Sequence, residues 1–130
     1  MKRFEDIQAW QLARILAQDI HKQCQSSLFA QDFPLKDQIR RAAGSVMDNI
    51  AEGFARNGNK EFSQHLSIAK ASAAEVQSQL YRALDQHYLT QTQFNQLYSQ
   101  ADHIIAMITK LMQYLKTTTH KGPKYDPPTP

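Results

Sequence analysis

The stretch Gln38–Arg56, QIRRAAGSVMDNIAEGFAR, decides how this chain folds. Projected as a helix at about 100° per residue from Leu35, it divides into two ribbons. Leu35, Ile39, Val46, Ile50 and Phe54 share one face, and Gln38, Ser45, Asn49, Glu52 and Arg56 run beside them. A solvated flank would carry Lys and Glu. This one carries Ser and Asn and adjoins two glycines, Gly44 and Gly53. Small polar residues in a row predict close packing by another element. Polar groups at such a contact must bond to one another, since burying them unpaired is costly.

Working outward, Asp32 is the expected N-cap of this helix and Pro34 falls in its first turn, where a missing N–H costs nothing. Asn57-Gly58 follows as a stop, because both residues tolerate the left-handed conformation. Asn59 is then expected to cap a third helix, which spaces Phe62, Leu66, Ala69, Ala73, Val76, Leu80, Ala83 and His87 as a heptad seam. Thr90-x-x-Gln93 is a capping-box pattern that opens a fourth helix, with Phe94, Leu97, Ala101, Ile104, Ile108, Leu111 and Leu115 on its seam. Before the central stretch, Ala9, Trp10, Leu12, Ala13, Leu16, Ala17, Ile20 and Cys24 give a first helix its apolar face. The predicted helices cover about 6–26, 34–56, 60–88 and 91–116, with no competing strand pattern. Four amphipathic helices with short connections predict an all-α, antiparallel up-down four-helix bundle over residues 1–116. Residues 117–130, with four prolines, are expected to form a flexible tail.

Helices two and three turn back on each other at Asn57–Asn59, so facing residues pair in a fixed register. Ser45 should meet Ser72, Arg41 should lie near Glu75, Glu52 near His65, and Gln38 near Gln79. With Asn49 and Arg56 these form an expected structural polar seam. A ligand or catalytic cleft in the same place is the competing reading.

Net charge is +3, from 15 Lys and Arg against 12 Asp and Glu, and the cations are spread along the chain. A dedicated nucleic-acid binder clusters them, but this excess still permits sequence-independent contact with phosphates. Arg14 and Lys22 on helix one, and Lys36 and Arg40 on helix two, lie outside the apolar faces. They are the candidates for contact with nucleic acid or another partner, against a plain solvated face. Trp10 and the tyrosines are candidate stacking platforms or simple cover for the core. Ile15 projects opposite the helix-one core, which makes it the candidate oligomer contact. A single cysteine allows no intrachain disulfide and suits a reducing cytoplasm. Cys24 falls on an apolar face, as a buried thiol would. No run reaches the roughly 18 apolar residues that span a bilayer, so a cytoplasmic protein without a membrane partner is expected.

The sequence carries no constellation that points to catalysis or metal binding. A di-iron bundle needs Glu-x-x-His motifs, yet none of the four glutamates (Glu5, Glu52, Glu61, Glu75) has His three positions later. One cysteine and unpaired histidines give no zinc pattern. Ser45 and Ser72 have no base-and-orienter constellation. No metal, cofactor, catalytic residue or small-molecule substrate is expected.

The run Gln38-x-Arg40-Arg41-Ala42-Ala43, Ser45, Asn49-Ile50-Ala51-Glu52-Gly53 and Arg56 resembles the pattern of the S23, or 23S rRNA intervening-sequence, family. Glu61-Phe62, Leu66, Ala69, Ser72 and Glu75 continue the likeness, and Phe4 and Trp10 fit its N-terminal part. The resemblance spans about residues 4 to 115. It implies an up-down bundle assembling as a ring-shaped homopentamer. It also implies kinship with the accessory protein of diversity-generating retroelements, which binds nucleic acid and a reverse transcriptase. The expected function is a non-enzymatic scaffold or adaptor associated with RNA or DNA. The alternative is a protein-binding or purely structural oligomer.

Overall fold

The computed structural model describes residues 1–26 and 28–118. A short 3-10 turn, Phe4–Asp6, precedes α1, Gln8–Gln23. A second 3-10 turn, Phe29–Gln31, leads into α2, Phe33–Ala55, and then come α3, Asn59–Asp85, and α4, Gln91–Thr117. There is no strand among the described residues. Each helix packs against two others in a closed cycle: α1 on α2, α2 on α3, α3 on α4 and α4 on α1. This is the expected antiparallel bundle. Leu16, Ile20, Leu35, Ile39, Ile50, Phe62, Leu66, Leu80, Ile104 and Ile108 are fully buried between the helices. No helix among the described residues is long and apolar enough to cross a membrane.

The helix ends show where local hydrogen bonding overrides periodicity. The backbone N–H groups of Lys2 and Arg3 both donate to the Asp6 carboxylate at 3.1 Å, which lowers its pKa. That separate turn delays α1 until Gln8. Asp32 caps α2 as predicted, accepting from Leu35 N at 3.2 Å. Thr90 and Gln93 close the capping box of α4.

Two terminal expectations are corrected. Asn59 does not cap α3. Gly58 is the N-cap, and the Asn59 side-chain Nδ2 reaches across to the Leu115 and Thr118 carbonyls, each at 3.2 Å. The last carbonyls of α4 lack partners within their own helix, and this amide supplies one. His87 is not on the α3 seam either. The helix ends at Asp85, and His87 is exposed in the left-handed conformation, φ 62°. The N–H groups of His87 and Tyr88 donate to Leu84 O and Ala83 O, both at 2.9 Å. That bonding pattern is a Schellman motif. Thr117 closes α4, and the rest of the expected tail, residues 119–130, lies outside the described residues.

Candidate functional site: the polar seam and the basic edge

The α2 ribbon does meet α3, in the register centred on Ser45 and Ser72. Their hydroxyl oxygens stand 2.9 Å apart. Asn49 Nδ2 donates to Ser45 O at 2.9 Å and to Ser45 Oγ at 3.0 Å. Asn49 Oδ1 faces His65 Nδ1 at 3.3 Å. One directed chain satisfies all of these groups: His65 Nδ1–H to Asn49, Asn49 to Ser45, and the Ser45 hydroxyl to Ser72. Of the two α2 glycines, only Gly53 lies at a close approach. A Cβ there would sit 2.6 Å from His65 Cβ, whereas a Cβ on Gly44 would meet nothing within 4 Å. Gly44, expected to serve the same close contact, does not.

The charged pairings of the seam are corrected. Arg41 does not pair with Glu75. It bonds Asp37 one turn back on its own helix, and Glu75 is exposed with no ion-pair partner among the described residues. Glu52 makes no ion pair with His65 and stands 3.8 Å from Arg56 in another i,i+4 pair, although its neighbour Gly53 does lie against His65. Gln38 accepts from Arg82 Nη1 at 3.0 Å instead of meeting Gln79. Gln79 is buried, and its Oε1 has no hydrogen-bond donor among the described residues. Long charged side chains at the rim find same-helix neighbours at no cost in burial, while short Ser and Asn must reach across.

This network has a measurable consequence. Ser45→Ala removes the centre of the chain and should cost about 1–2 kcal/mol, because the buried Ser72 hydroxyl loses its partner while Asn49 keeps only its bond to the residue 45 carbonyl. The double variant Ser45→Ala/Ser72→Ala should cost less than the sum of the two single variants. Urea unfolding reads both. Strict additivity would show that the two hydroxyls do not interact.

Among the described residues no group of three His, Cys, Asp or Glu could hold a metal ion. Cys24 is buried, and burial pushes its thiol up to about 11 despite nearby Arg40 and Lys36. Both cations therefore lie within electrostatic range of the end of α1.

The other candidates gather along the edge between α1 and α2. Arg14, His21 and Lys22 line one shallow groove together with Met47 of α2. Arg14 lies 6.0 Å from the centroid of the Trp10 ring. On α2, Lys36 Nζ donates to Ala30 O at 3.3 Å, and Arg40 is exposed one turn further on. Asp19 also lines the groove, and the acids along this edge have partners of their own. Asp37 holds Arg41, Asp19 accepts from Gln100 Nε2 at 3.0 Å, and Asp32 takes the Tyr88 hydroxyl at 2.9 Å. The last bond raises the Tyr88 pKa by holding its proton.

Most of the aromatic candidates cover the core. Trp10 packs edge-on to Phe4, and Tyr88 stacks on Phe29. Tyr81 and Tyr98 cluster with Phe94. Phe33, one residue before the predicted start of helix two, is the first residue of α2 and is 68% exposed, with Lys36 Nζ 5.0 Å from its ring centroid. Its place one turn before Lys36 was the available signal. Ile15 is 46% exposed, as its helical projection required.

The family described as 23S rRNA-intervening sequence protein matches residues 5–110. The chain belongs to that family. Among solved structures it resembles a protein with unknown function from the S23 ribosomal protein family of Bacteroides thetaiotaomicron VPI-5482. The likeness has a TM-score of 0.74 at 20% identity and covers 81% of this chain and 98% of the other. At that identity it shows a shared S23 fold. No curated protein matches the chain. The match from residue 5 to residue 110 takes in both the seam and the basic edge, so the residues carrying the resemblance include those that join α2 to α3.

Proposed function

We propose that this S23-family protein is a non-enzymatic, self-associating cytoplasmic scaffold that holds nucleic acid against its α1–α2 edge. The observation that carries the reading is the pairing pattern. Arg14, Lys22, Lys36 and Arg40 lie along one edge while Asp19, Asp32 and Asp37 are bonded to other groups. A modest patch becomes effective when an oligomer repeats it, because linked weak contacts reinforce one another. Exposed Ile15, on the outer face of α1, is the proposed contact between copies. The family description, with its reference to 23S rRNA, makes RNA the first probe.

Electrophoretic mobility with RNA and DNA duplexes across a salt series tests this. Binding should weaken linearly on a log–log plot against salt, and Lys36→Gln/Arg40→Gln should flatten the slope by roughly 0.9 per lost contact. An intact oligomer that shifts neither nucleic acid at low salt would overturn the reading in favour of a structural or protein-binding oligomer. Sedimentation equilibrium of the wild type and of Ile15→Glu tests the assembly. A monomeric wild type removes the repeated patch.

A further inference from the structure

Phe33 is the most exposed large apolar side chain among the described residues, and it does not stand alone. It is the first residue of α2, with Lys36 one turn on and Arg40 one turn beyond that. At 1.5 Å per residue the two cations are about 6 Å apart along the helix. The Lys36 ammonium, 5.0 Å from the Phe33 ring centroid, also donates to Ala30 O, so the ring sits beside a positioned charge. Of the acids beside this stripe, Asp37 is held by Arg41, and Asp32 caps α2 and accepts the Tyr88 hydroxyl.

An exposed aromatic flanked by two cations suits a partner that is both flat and apolar and anionic at adjacent points. An apolar protein patch meets only the ring and must desolvate the cations. A duplex meets only the cations, since its base faces are hidden in the stack. An unpaired nucleotide run meets both. On this ground, and resting on the nucleic-acid reading above, we propose that the Phe33–Lys36–Arg40 stripe is a binding site for single-stranded nucleic acid. One unpaired base stacks on the Phe33 ring, and the neighbouring phosphates lie on Lys36 and Arg40. Base–aromatic stacking tolerates any base, so the site selects strandedness, not sequence.

The experiment compares binding of a labelled single-stranded homopolymer with binding of a duplex of equal length. It uses the full chain as wild type, Phe33→Ala and Phe33→Trp, with Lys36→Gln/Arg40→Gln alongside. Phe33 is largely outside the core, so circular dichroism should be unchanged in its variants. Phe33→Ala should weaken single-strand binding about tenfold, with duplex affinity and the salt slope unmoved, and Phe33→Trp should bind single strands at least as well as wild type. The charge variant should weaken both ligands. Equal loss on both ligands in Phe33→Ala, or no loss on either, overturns the stacking site while leaving the electrostatic edge in place. Dissociation of the oligomer by Phe33→Ala overturns it in favour of a contact between copies. A wild type that binds neither ligand removes the edge itself, and the stacking site with it.

Discussion

Gly53→Ala is expected to lower folding stability by about 2 kcal/mol, the opposite of what helix propensity predicts. Glycine inside a helix costs about 1 kcal/mol relative to alanine, so an uncrowded site would gain. Here the added methyl would sit 2.6 Å from His65 Cβ and 3.1 Å from Phe62 Cδ1. The obstructing His65 atom is a Cβ, fixed to its own backbone, so no rotamer change relieves the contact. The helices must part locally, at a cost toward the upper end of the roughly 1–3 kcal/mol seen for overpacking. A double-mutant cycle isolates the cause. His65→Ala keeps the Cβ and should rescue nothing, whereas His65→Gly should recover much of the loss. Urea midpoints at constant m-value measure each. Equal rescue by both would place the strain on the imidazole instead.

Phe62→Ala is expected to be costlier still, at about 4 kcal/mol. Phe62 is 0% exposed and meets Phe54 edge to face, with ring centroids 5.9 Å apart. Truncation leaves a cavity beside Gly53, where α2 approaches α3 closely, and Phe→Ala substitutions in cores cost about 3–5 kcal/mol. Phe62→Leu, which refills part of the space, should recover more than half. A Phe62→Ala loss below about 1.5 kcal/mol would mean that the helices close over the gap.

The fold was legible because the apolar seams of α3 and α4 repeat without interruption and because Asp32 and the Thr90–Gln93 pair mark helix starts in the way their chemistry dictates. The ends of α1 and α3 were less legible. Asp6 draws two backbone N–H groups into a separate turn, and a histidine takes the left-handed position more usual for glycine, as no periodicity announces. In the seam, Ser45–Ser72 followed from register alone, since short side chains have only their facing neighbours. Arg41, Glu52 and Gln38 did not, because a long side chain chooses among several partners and sequence spacing does not rank them. The basic edge was legible as separate residues, but not as a place. That Lys36 and Arg40 sit beside Cys24, and that Phe33 stands out beside them, depends on how α1 docks on α2.

The serine pair has a consequence beyond its modest strength. The apolar seam of α3 repeats every seven residues, so sliding α3 past α2 by one repeat, with a few residues unwound at the hairpin, would still lay apolar side chains on apolar side chains. That slipped form would break the Ser45–Ser72 and Asn49–His65 bonds, at about 1–3 kcal/mol for each buried group left unpaired, along with the exposed Gln38–Arg82 bond and the fit of Gly53 against His65. Ser45 and Ser72 therefore act as a proofreading mark on the hairpin. Replacing both by well-packed apolar residues should yield a chain at least as hard to unfold, but one that populates a misaligned hairpin during refolding.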